Sequence, residues 1–218
     1  MIQAAIFDID GTLMDSMWVW EQAFIEYVRS RGIEPQIDAG SKLFTMTLSE
    51  GSIFLKQELD VPDTPEQIMA AVAGHARELY LSKVQLKPNV LEFLQSLDDA
   101  GVPMSILTSG ERELSEEVFA KLGLSGYFQK IYAATNEGIS KREPDLYLRA
   151  TAEMGVTPER TVVFEDAVYA VTVAKAAGFH TVGIKDSHSE MFQDDLRALA
   201  ELYWERYPRE IPPELFAF

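Results

Sequence analysis

The sequence predicts an α/β protein in which a doubly wound parallel β-sheet carries an inserted α-helical subdomain. Two observations support this fold class. Short apolar runs alternate with helical patterns from about Lys87 onward, and several further helical patterns interrupt the alternation after the first run. Alternating strands and helices favour right-handed βαβ units around a parallel sheet. The length of 218 residues suits one such domain with an insert.

Five short runs are interpreted as buried strands. Each is rich in β-branched or large apolar residues and lacks a clean alternation with polar ones, which is typical of strands covered on both faces. The runs are AAIFDI (4–9), PMSILT (103–108), KIYAA (130–134), TVVFED (161–166) and HTVGIK (180–185).

Helical patterns follow the later strands, and each ends at a glycine, which is a common helix C-terminal signal. They are NVLEFLQSLDDAG (89–101), ERELSEEVFAKLG (111–123), PDLYLRATAEMG (144–155) and AVTVAKAAG (170–178). The C-terminal segment 194–216 is predicted to form a covering helix, a short element and a tail.

The connection after the first strand is exceptional. About 90 residues separate Ile9 from Pro103, whereas a crossover helix needs roughly a dozen or more. Three helical patterns lie in this gap, at 17–31, 49–59 and 65–84, and the last has a proline at its start. We therefore expect an α/β core formed by residues 1–14 and 86–218, and a helical subdomain at 15–85.

Composition limits the classes of partner. Asp and Glu number 35 against 19 Lys and Arg, a net charge of −16. Nucleic acid and anionic membrane surfaces would be repelled, so neither is an expected partner. A small anionic substrate stays open if cations are gathered locally. The sequence has no cysteine and no run long enough to cross a membrane, and we expect a soluble, cytoplasmic protein.

Polar residues follow four of the predicted strands. In open α/β sheets, ligands bind beyond the carboxyl ends of the strands. The segments expected there are Asp8-Ile9-Asp10-Gly11-Thr12, Thr108-Ser109-Gly110, Ser140-Lys141 and Glu165-Asp166. Each residue alone has an ordinary explanation as a helix cap, a turn former or a surface charge.

Together, these residues indicate a phosphoryl site. Two carboxylates about 4 Å apart repel by roughly 4 kcal/mol at an effective dielectric of 20, so a cluster of them requires a counterion. An all-oxygen ligand set favours Mg²⁺, which keeps waters that a phosphate can replace. A dication, a lysine and hydroxyl donors together suit a phosphoryl group.

The segment DIDGTLMDS (8–16) resembles the first motif of the haloacid dehalogenase-like phosphohydrolases. Thr108, Lys141 and the pair Glu165-Asp166 match the second, third and fourth motifs in order. The helical insert resembles the small α-helical cap of the subfamily that includes phosphoglycolate phosphatase and β-phosphoglucomutase. The resemblance spans nearly the whole chain and implies a doubly wound, Rossmann-like core.

The resemblance also implies roles for individual residues. Asp8 would attack phosphorus and form an aspartyl-phosphate, and Asp10 would act as general acid and then general base. Mg²⁺ would be held by Asp8, by the backbone carbonyl of Asp10 and by Asp166, with Glu165 acting through water. Thr108 and Lys141 would bind the phosphoryl oxygens, with Ser109 as a further substrate-binding residue.

Two features of the third and fourth motifs depart from the family pattern. The family's Gly-Lys-Pro-x-Pro-Asp is replaced here by Ser140-Lys141-Arg142-Glu143-Pro144-Asp145, which predicts a less rigid loop with its charge retained. Alanines at 167 and 170 stand where a small residue and a glycine are common. Neither change removes a nucleophile or a charge.

The helical subdomain offers candidate substrate contacts. Trp20 lies near the position at which the related mutases carry a histidine, and it is expected to shape the substrate pocket. The segment between the first two cap helices contributes further candidates, namely Lys42, Thr45, Thr47, Ser49 and Glu50.

The leading interpretation is a Mg²⁺-dependent phosphatase that acts on a small phosphorylated metabolite as a monomer or a weak homodimer. A β-phosphoglucomutase-type phosphomutase is the alternative, because it shares the first half-reaction. A dehalogenase would not need Asp10, and a phosphonate hydrolase would need an imine-forming lysine such as Lys42 or Lys56. A phospho-accepting signalling receiver would have a single helix after its first strand, which disfavours it.

Overall fold

The computed structural model describes residues 2–34, 48–59 and 61–218. The chain divides into two compact units, one formed by Met1–Asp15 with Gln85–Phe218 and the other by Ser16–Val84. That the first is a catalytic core and the second a substrate-selecting cap stays a prediction.

The described residues of the second unit form three helices and short turns. Its helices are α1 (Trp18–Ser30), α2 (Leu48–Glu58) and α3 (Pro65–Lys83). Helix α3 begins with a capping box, in which the Thr64 hydroxyl accepts from the Gln67 backbone and the Gln67 side chain accepts from the Thr64 N–H. This cap satisfies two backbone donors that a helix start leaves without partners.

The first unit contains the sheet that the sequence predicts. The strands of this unit are β1 Ala4–Phe7, β2 Met14–Asp15, β3 Gln85–Leu86, β4 Met104–Thr108, β5 Ile131–Ala133, β6 Thr161–Glu165, β7 His180–Ile184 and β8 Leu202–Trp204. Six of them form one sheet in the order β5-β4-β1-β6-β7-β8, and all its pairs are parallel. Strands β2 and β3 form a separate antiparallel pair. The prediction of a doubly wound parallel sheet is confirmed.

Strand β8 corrects the prediction for the C-terminal segment. The sequence predicts five strands and treats residues 194–216 as a helix, a short element and a tail. In the structure Leu202–Trp204 pairs with β7 and adds a sixth strand at the edge of the sheet. Three partly exposed residues are too few for a buried-strand pattern, so an edge strand of this kind gives little signal in the sequence.

Helices surround the main sheet. They are α4 (Val90–Asp99), α5 (Arg112–Leu122), α6 (Ala134–Glu137), α7 (Asp145–Glu153), α8 (Val168–Ala176), α9 (Gln193–Leu199) and α10 (Pro213–Phe216). Short 3₁₀ turns occupy Pro158–Arg160 and Glu190–Phe192. Helix α5 ends at Gly123, whose φ of 77° lies in the left-handed region that glycine adopts without strain.

An aromatic cluster beneath the sheet's centre fixes the two strands that carry the acidic residues. The Phe7 ring on β1 stacks on the Phe164 ring on β6, with centroids 4.4 Å apart, and Phe93 of α4 meets Phe164 edge-on at 5.6 Å. Burying each ring stabilises the fold by roughly 1.5–3 kcal/mol. The packing therefore holds the carboxyl ends of β1 and β6 side by side.

Among the described residues, no helix is long and apolar enough to span a membrane.

Candidate active site

Three carboxylates converge where β1 and β6 end. Asp8 follows β1, Glu165 is the last residue of β6 and Asp166 comes next. One oxygen from each lies within 4.8 Å of the other two. The three residues are only 6%, 1% and 6% exposed. Three buried negative charges at this separation require neutralisation.

Lys141 supplies one positive charge to this cluster. It lies in the loop before α7 and is 4% exposed. Its Nζ is 2.6 Å from Asp8 Oδ1 and also forms an ion pair with Glu165 Oε1. The predicted third-motif lysine therefore lies in contact with the predicted nucleophile.

The electrostatics of the cluster follow from burial and charge together. Burial alone would lower the pKa of Lys141, but the charges of Asp8 and Glu165 outweigh it and raise that pKa well above its ordinary value. Burial raises the pKa of Glu165 to about 7, Lys141 opposes the rise and Asp8 adds to it. Burial raises the pKa of Asp166 well above its ordinary value, and the neighbouring acidic charges add to the rise. These are the charges of Glu165, Asp8 and Asp186. One lysine does not balance three acids, so a further cation is favoured at this position.

Glu165 also orders the backbone that leads into α8. Its Oε2 accepts hydrogen bonds from the backbone N–H groups of Asp166, at 3.1 Å, and Ala167, at 3.2 Å. The other carboxylate oxygen faces Lys141. Glu165 therefore links the lysine to the turn that carries Asp166.

The backbone makes a tight turn directly after Asp8. The Ile9 carbonyl accepts from the backbone N–H groups of Leu13 and Met14, both at 2.9 Å, and Gly11 has a φ of 75°. A residue with a β-carbon would be strained at that angle. The buried Thr12 hydroxyl lies 3.4 Å from Asp166 Oδ1, so the turn also contacts the end of β6.

Asp10 lies toward β4 rather than within the carboxylate cluster. A methyl group at Gly110 would stand 3.4 Å from Thr108 Oγ1 and 3.9 Å from Asp10 Oδ2. The Thr108 hydroxyl accepts from the Gly110 N–H at 3.0 Å. Gly110 therefore lies close to both the Asp10 carboxylate and the Thr108 hydroxyl. The chemical roles predicted for Asp10, Thr108 and Ser109 stay predictions.

The loop of Lys141 compensates for its departure from the family pattern. Arg142 stands where the family has a proline, and its backbone N–H donates to the Ser140 hydroxyl at 3.1 Å. The Glu143 N–H donates to the Ser140 carbonyl at 3.0 Å, which closes a turn. Ser140, at the family's glycine position, therefore satisfies the N–H that a proline would lack.

Sequence reasoning missed a buried ion pair near this site. Lys87 Nζ lies 3.0 Å from Asp186 Oδ2 just after β7, and the Asp186 side chain is almost fully buried. Both charges affect the pKa of Asp166. The Asp186 charge raises this pKa and the Lys87 charge lowers it. The lysine precedes Pro88 and the aspartate lies two residues after the end of β7, but the two are far apart in the chain and no pattern links them.

The candidate substrate-binding residues of the helical unit are described by their positions within that unit. Trp20 is 43% exposed on α1, and Ser49 and Glu50 lie in the first turns of α2. Lys56 Nζ donates to the Val61 carbonyl at 2.6 Å. Three further candidates lie outside the described residues, namely Lys42, Thr45 and Thr47.

The donor set at Asp8, Glu165 and Asp166 fits a divalent cation. All three ligands are carboxylates, which suit hard cations, and no thiolate exists in the chain. A dication would complete the neutralisation that Lys141 begins. The buried acidic cluster is therefore a candidate metal centre.

The fold and this site define the class of the protein. Residues 2–178 match the haloacid dehalogenase-like hydrolase family, and the chain belongs to it. The resemblance to this family is thereby confirmed.

Individual relatives are similar over most of their length. A validoxylamine A 7'-phosphate phosphatase from Streptomyces hygroscopicus subsp. limoneus is 28% identical over 92% of this chain and 91% of its own. The fructose-1-phosphate phosphatase YqaB from Escherichia coli (strain K12) is 31% identical over 83% and 95%. A crystal structure from Thermotoga maritima, provisionally assigned as a beta-phosphoglucomutase, superposes with a TM-score of 0.82 at 25% identity over 93% and 94%.

Proposed function

We propose that this protein is a Mg²⁺-dependent phosphatase that hydrolyses a small phosphorylated metabolite through an aspartyl-phosphate on Asp8. The observation that carries the proposal is the buried cluster in which Lys141 contacts Asp8 while Glu165 and Asp166 complete an acidic triad. A lysine held against a carboxylate at the end of a central strand can bind a phosphoryl oxygen beside the attacking group.

The chemistry divides into two displacements at phosphorus. An Asp8 oxygen forms the new bond to phosphorus while the ester P–O bond breaks, and Asp10 gives a proton to the leaving oxygen. Water then attacks the same phosphorus, Asp10 takes a proton from it, and the bond to Asp8 breaks. Thr108, Ser109 and Lys141 bind the phosphoryl oxygens. Asp8, Asp166 and the Asp10 carbonyl would hold Mg²⁺, which would supply charge neutralisation when bound.

The relatives support a narrower substrate class for the proposal. They include phosphatases for validoxylamine A 7'-phosphate, fructose 1-phosphate and hexitol phosphates. We extend this class to the present protein as a phosphorylated sugar or sugar-like metabolite, with Trp20 shaping the pocket.

The test is a panel of phosphorylated sugars, sugar acids and polyols in the presence of Mg²⁺, with release of inorganic phosphate as the readout. Wild-type protein is expected to hydrolyse at least one compound, and the Asp8→Asn protein, checked by mass for deamidation, none. Normal turnover in that variant would refute the nucleophile.

A phosphomutase is the second candidate, because the structural relative from Thermotoga maritima is provisionally assigned to that activity. A mutase must keep water from its aspartyl-phosphate until a second hydroxyl arrives. The deciding assay supplies β-glucose 1-phosphate and follows products by phosphorus NMR. Inorganic phosphate supports hydrolysis, whereas rapid formation of glucose 6-phosphate with little free phosphate would establish the mutase.

A further inference from the structure

We infer that Arg142, stacked on Tyr169 beside Lys141, binds a second anionic group of the substrate. The preferred substrates are then phosphate monoesters that also carry a carboxylate or a second phosphate. This inference rests on the proposed phosphatase function and narrows its substrate class.

Arg142 and Lys141 are consecutive residues with opposite environments. Lys141 turns inward to the carboxylates, whereas Arg142 is exposed and places its Cζ 4.5 Å from the centroid of the Tyr169 ring. The Ser140 hydroxyl fixes the Arg142 backbone. A planar guanidinium on an aromatic face is oriented before any ligand arrives, so less side-chain entropy is lost on binding.

Tyr169 connects this guanidinium to the phosphoryl site. It lies in the first turn of α8, three residues after Asp166. Burial raises the pKa of its phenol, the Lys141 charge opposes the rise, Glu165 adds to it and the Ser109 hydroxyl lowers it again. The phenol therefore lies among the residues assigned to phosphoryl binding. Arg142 stacks on the face of the same ring.

Arg142 offers a positive charge that is available to a substrate anion. Its neighbour Lys141 is shared between Asp8 and Glu165. Two other arginines of this unit, Arg112 and Arg149, both pair with Glu137. Across residues 2–34, 48–59 and 61–218, the interactions of Arg142 are the Ser140 hydrogen bond and the tyrosine stack, with no carboxylate.

An exposed guanidinium of this kind suits an oxyanion. The stack uses one face of the group and leaves its edge N–H donors free to pair with two oxygens at once. Carboxylate and phosphate both present that pair of oxygens. In a protein of net charge −16, a local cation beside the reaction site also favours the approach of an anionic substrate.

The experiment compares matched substrate pairs that differ in the second anionic group. The carboxylate arm uses 3-phosphoglycerate against glycerol 3-phosphate, and 6-phosphogluconate against glucose 6-phosphate. The phosphate arm uses fructose 1,6-bisphosphate against fructose 1-phosphate. kcat/KM is measured for wild type, Arg142→Gln, Arg142→Lys and Tyr169→Phe. Arg160→Gln is the matched control, because Arg160 is an exposed arginine in the 3₁₀ turn before β6, at the other end of that strand.

Wild type is expected to prefer the anionic member of at least one pair. Arg142→Gln should reduce that preference about tenfold or more, the usual effect of losing a charge-assisted bidentate contact. Arg142→Lys should restore part of it, and Tyr169→Phe, which keeps the ring, should retain most of it. The arm in which the preference changes distinguishes carboxylate from phosphate.

Equal effects of Arg142→Gln on both members of every pair would overturn the inference, as would a matching effect of Arg160→Gln. Equilibrium binding of the same pairs to the Asp8→Asn protein, by calorimetry, separates this inference from the proposed function. If adding Arg142→Gln to the Asp8→Asn protein abolishes the binding preference, the inference about Arg142 is supported even without turnover. If the Asp8→Asn protein binds both members of each pair with no preference for the anionic one, the inference is refuted.

Discussion

Replacing Lys141 with methionine should reveal how strongly the acidic cluster depends on its one lysine. The Nζ of Lys141 lies 2.6 Å from Asp8 Oδ1, a pair whose attraction is about 6 kcal/mol at an effective dielectric of 20. Glu165 adds a second attraction, and the desolvation of all three groups offsets much of both. Methionine has a similar length, so packing changes little.

The variant leaves two buried carboxylates without their counterion. Removing one partner of a buried ion pair destabilises a protein by about 3–5 kcal/mol, a large part of the 5–15 kcal/mol that is typical of a domain. The assay is urea unfolding followed by circular dichroism in the presence of chelator. Adding Glu165→Gln to Lys141→Met should restore part of the loss, because one uncompensated charge disappears.

Lys130→Met is the matched control. Lys130 pairs with Glu153 at 2.7 Å, nearly the same separation, but the two side chains are 38% and 43% exposed. Water screens that pair, so its loss should be hard to distinguish from wild type. If the Lys130 and Lys141 variants lose equal stability, the claim that burial makes the Lys141 pair different is wrong.

The remaining predictions concern chemistry and packing. Asp10→Asn should lower kcat by about 10²–10⁴-fold on sugar phosphates. The first step alone, measured as a pre-steady-state burst of p-nitrophenolate from p-nitrophenyl phosphate, should slow much less, because that leaving group needs no proton; an equal loss in this first step would contradict the acid role. Chelator should stop hydrolysis without changing the circular dichroism spectrum, and Asp166→Asn should raise the Mg²⁺ concentration needed for half-maximal rate; full activity in excess chelator would remove the metal from the proposal. Gly183→Ala should destabilise the fold by about 1–3 kcal/mol in urea unfolding, because the new methyl would stand 3.0 Å from Leu196 Cγ; unchanged stability would show that α9 shifts freely.

The parts of the fold that the sequence predicts are those governed by local patterns. Strands buried on both faces are mostly apolar, so β1 and the centre of β6 are visible as apolar runs. Residues such as Asp8 and Asp166 could be assigned to one location because the carboxyl ends of parallel strands lie at one edge.

The parts that the sequence did not predict depend on partners distant in the chain. Strand β8 is a strand because β7 offers it an edge, and its three residues show no pattern of their own. Lys87 and Asp186 are far apart in the chain and come together only in the folded structure. The Arg142–Tyr169 stack joins the loop before α7 to the first turn of α8. Tertiary pairing, rather than periodicity, decides these contacts.

The antiparallel pair β2–β3 has an evolutionary consequence. Asp15 and Gln85 are register partners, so the segment that leaves the first unit after Asp15 returns to it at the neighbouring residue on the opposite strand. A segment whose two ends meet in this way can be exchanged for another of different length without altering the register of the main sheet. The segment Ser16–Val84 can then be replaced as a cassette, while the residues at the carboxyl ends of β1, β4 and β6 stay as they are.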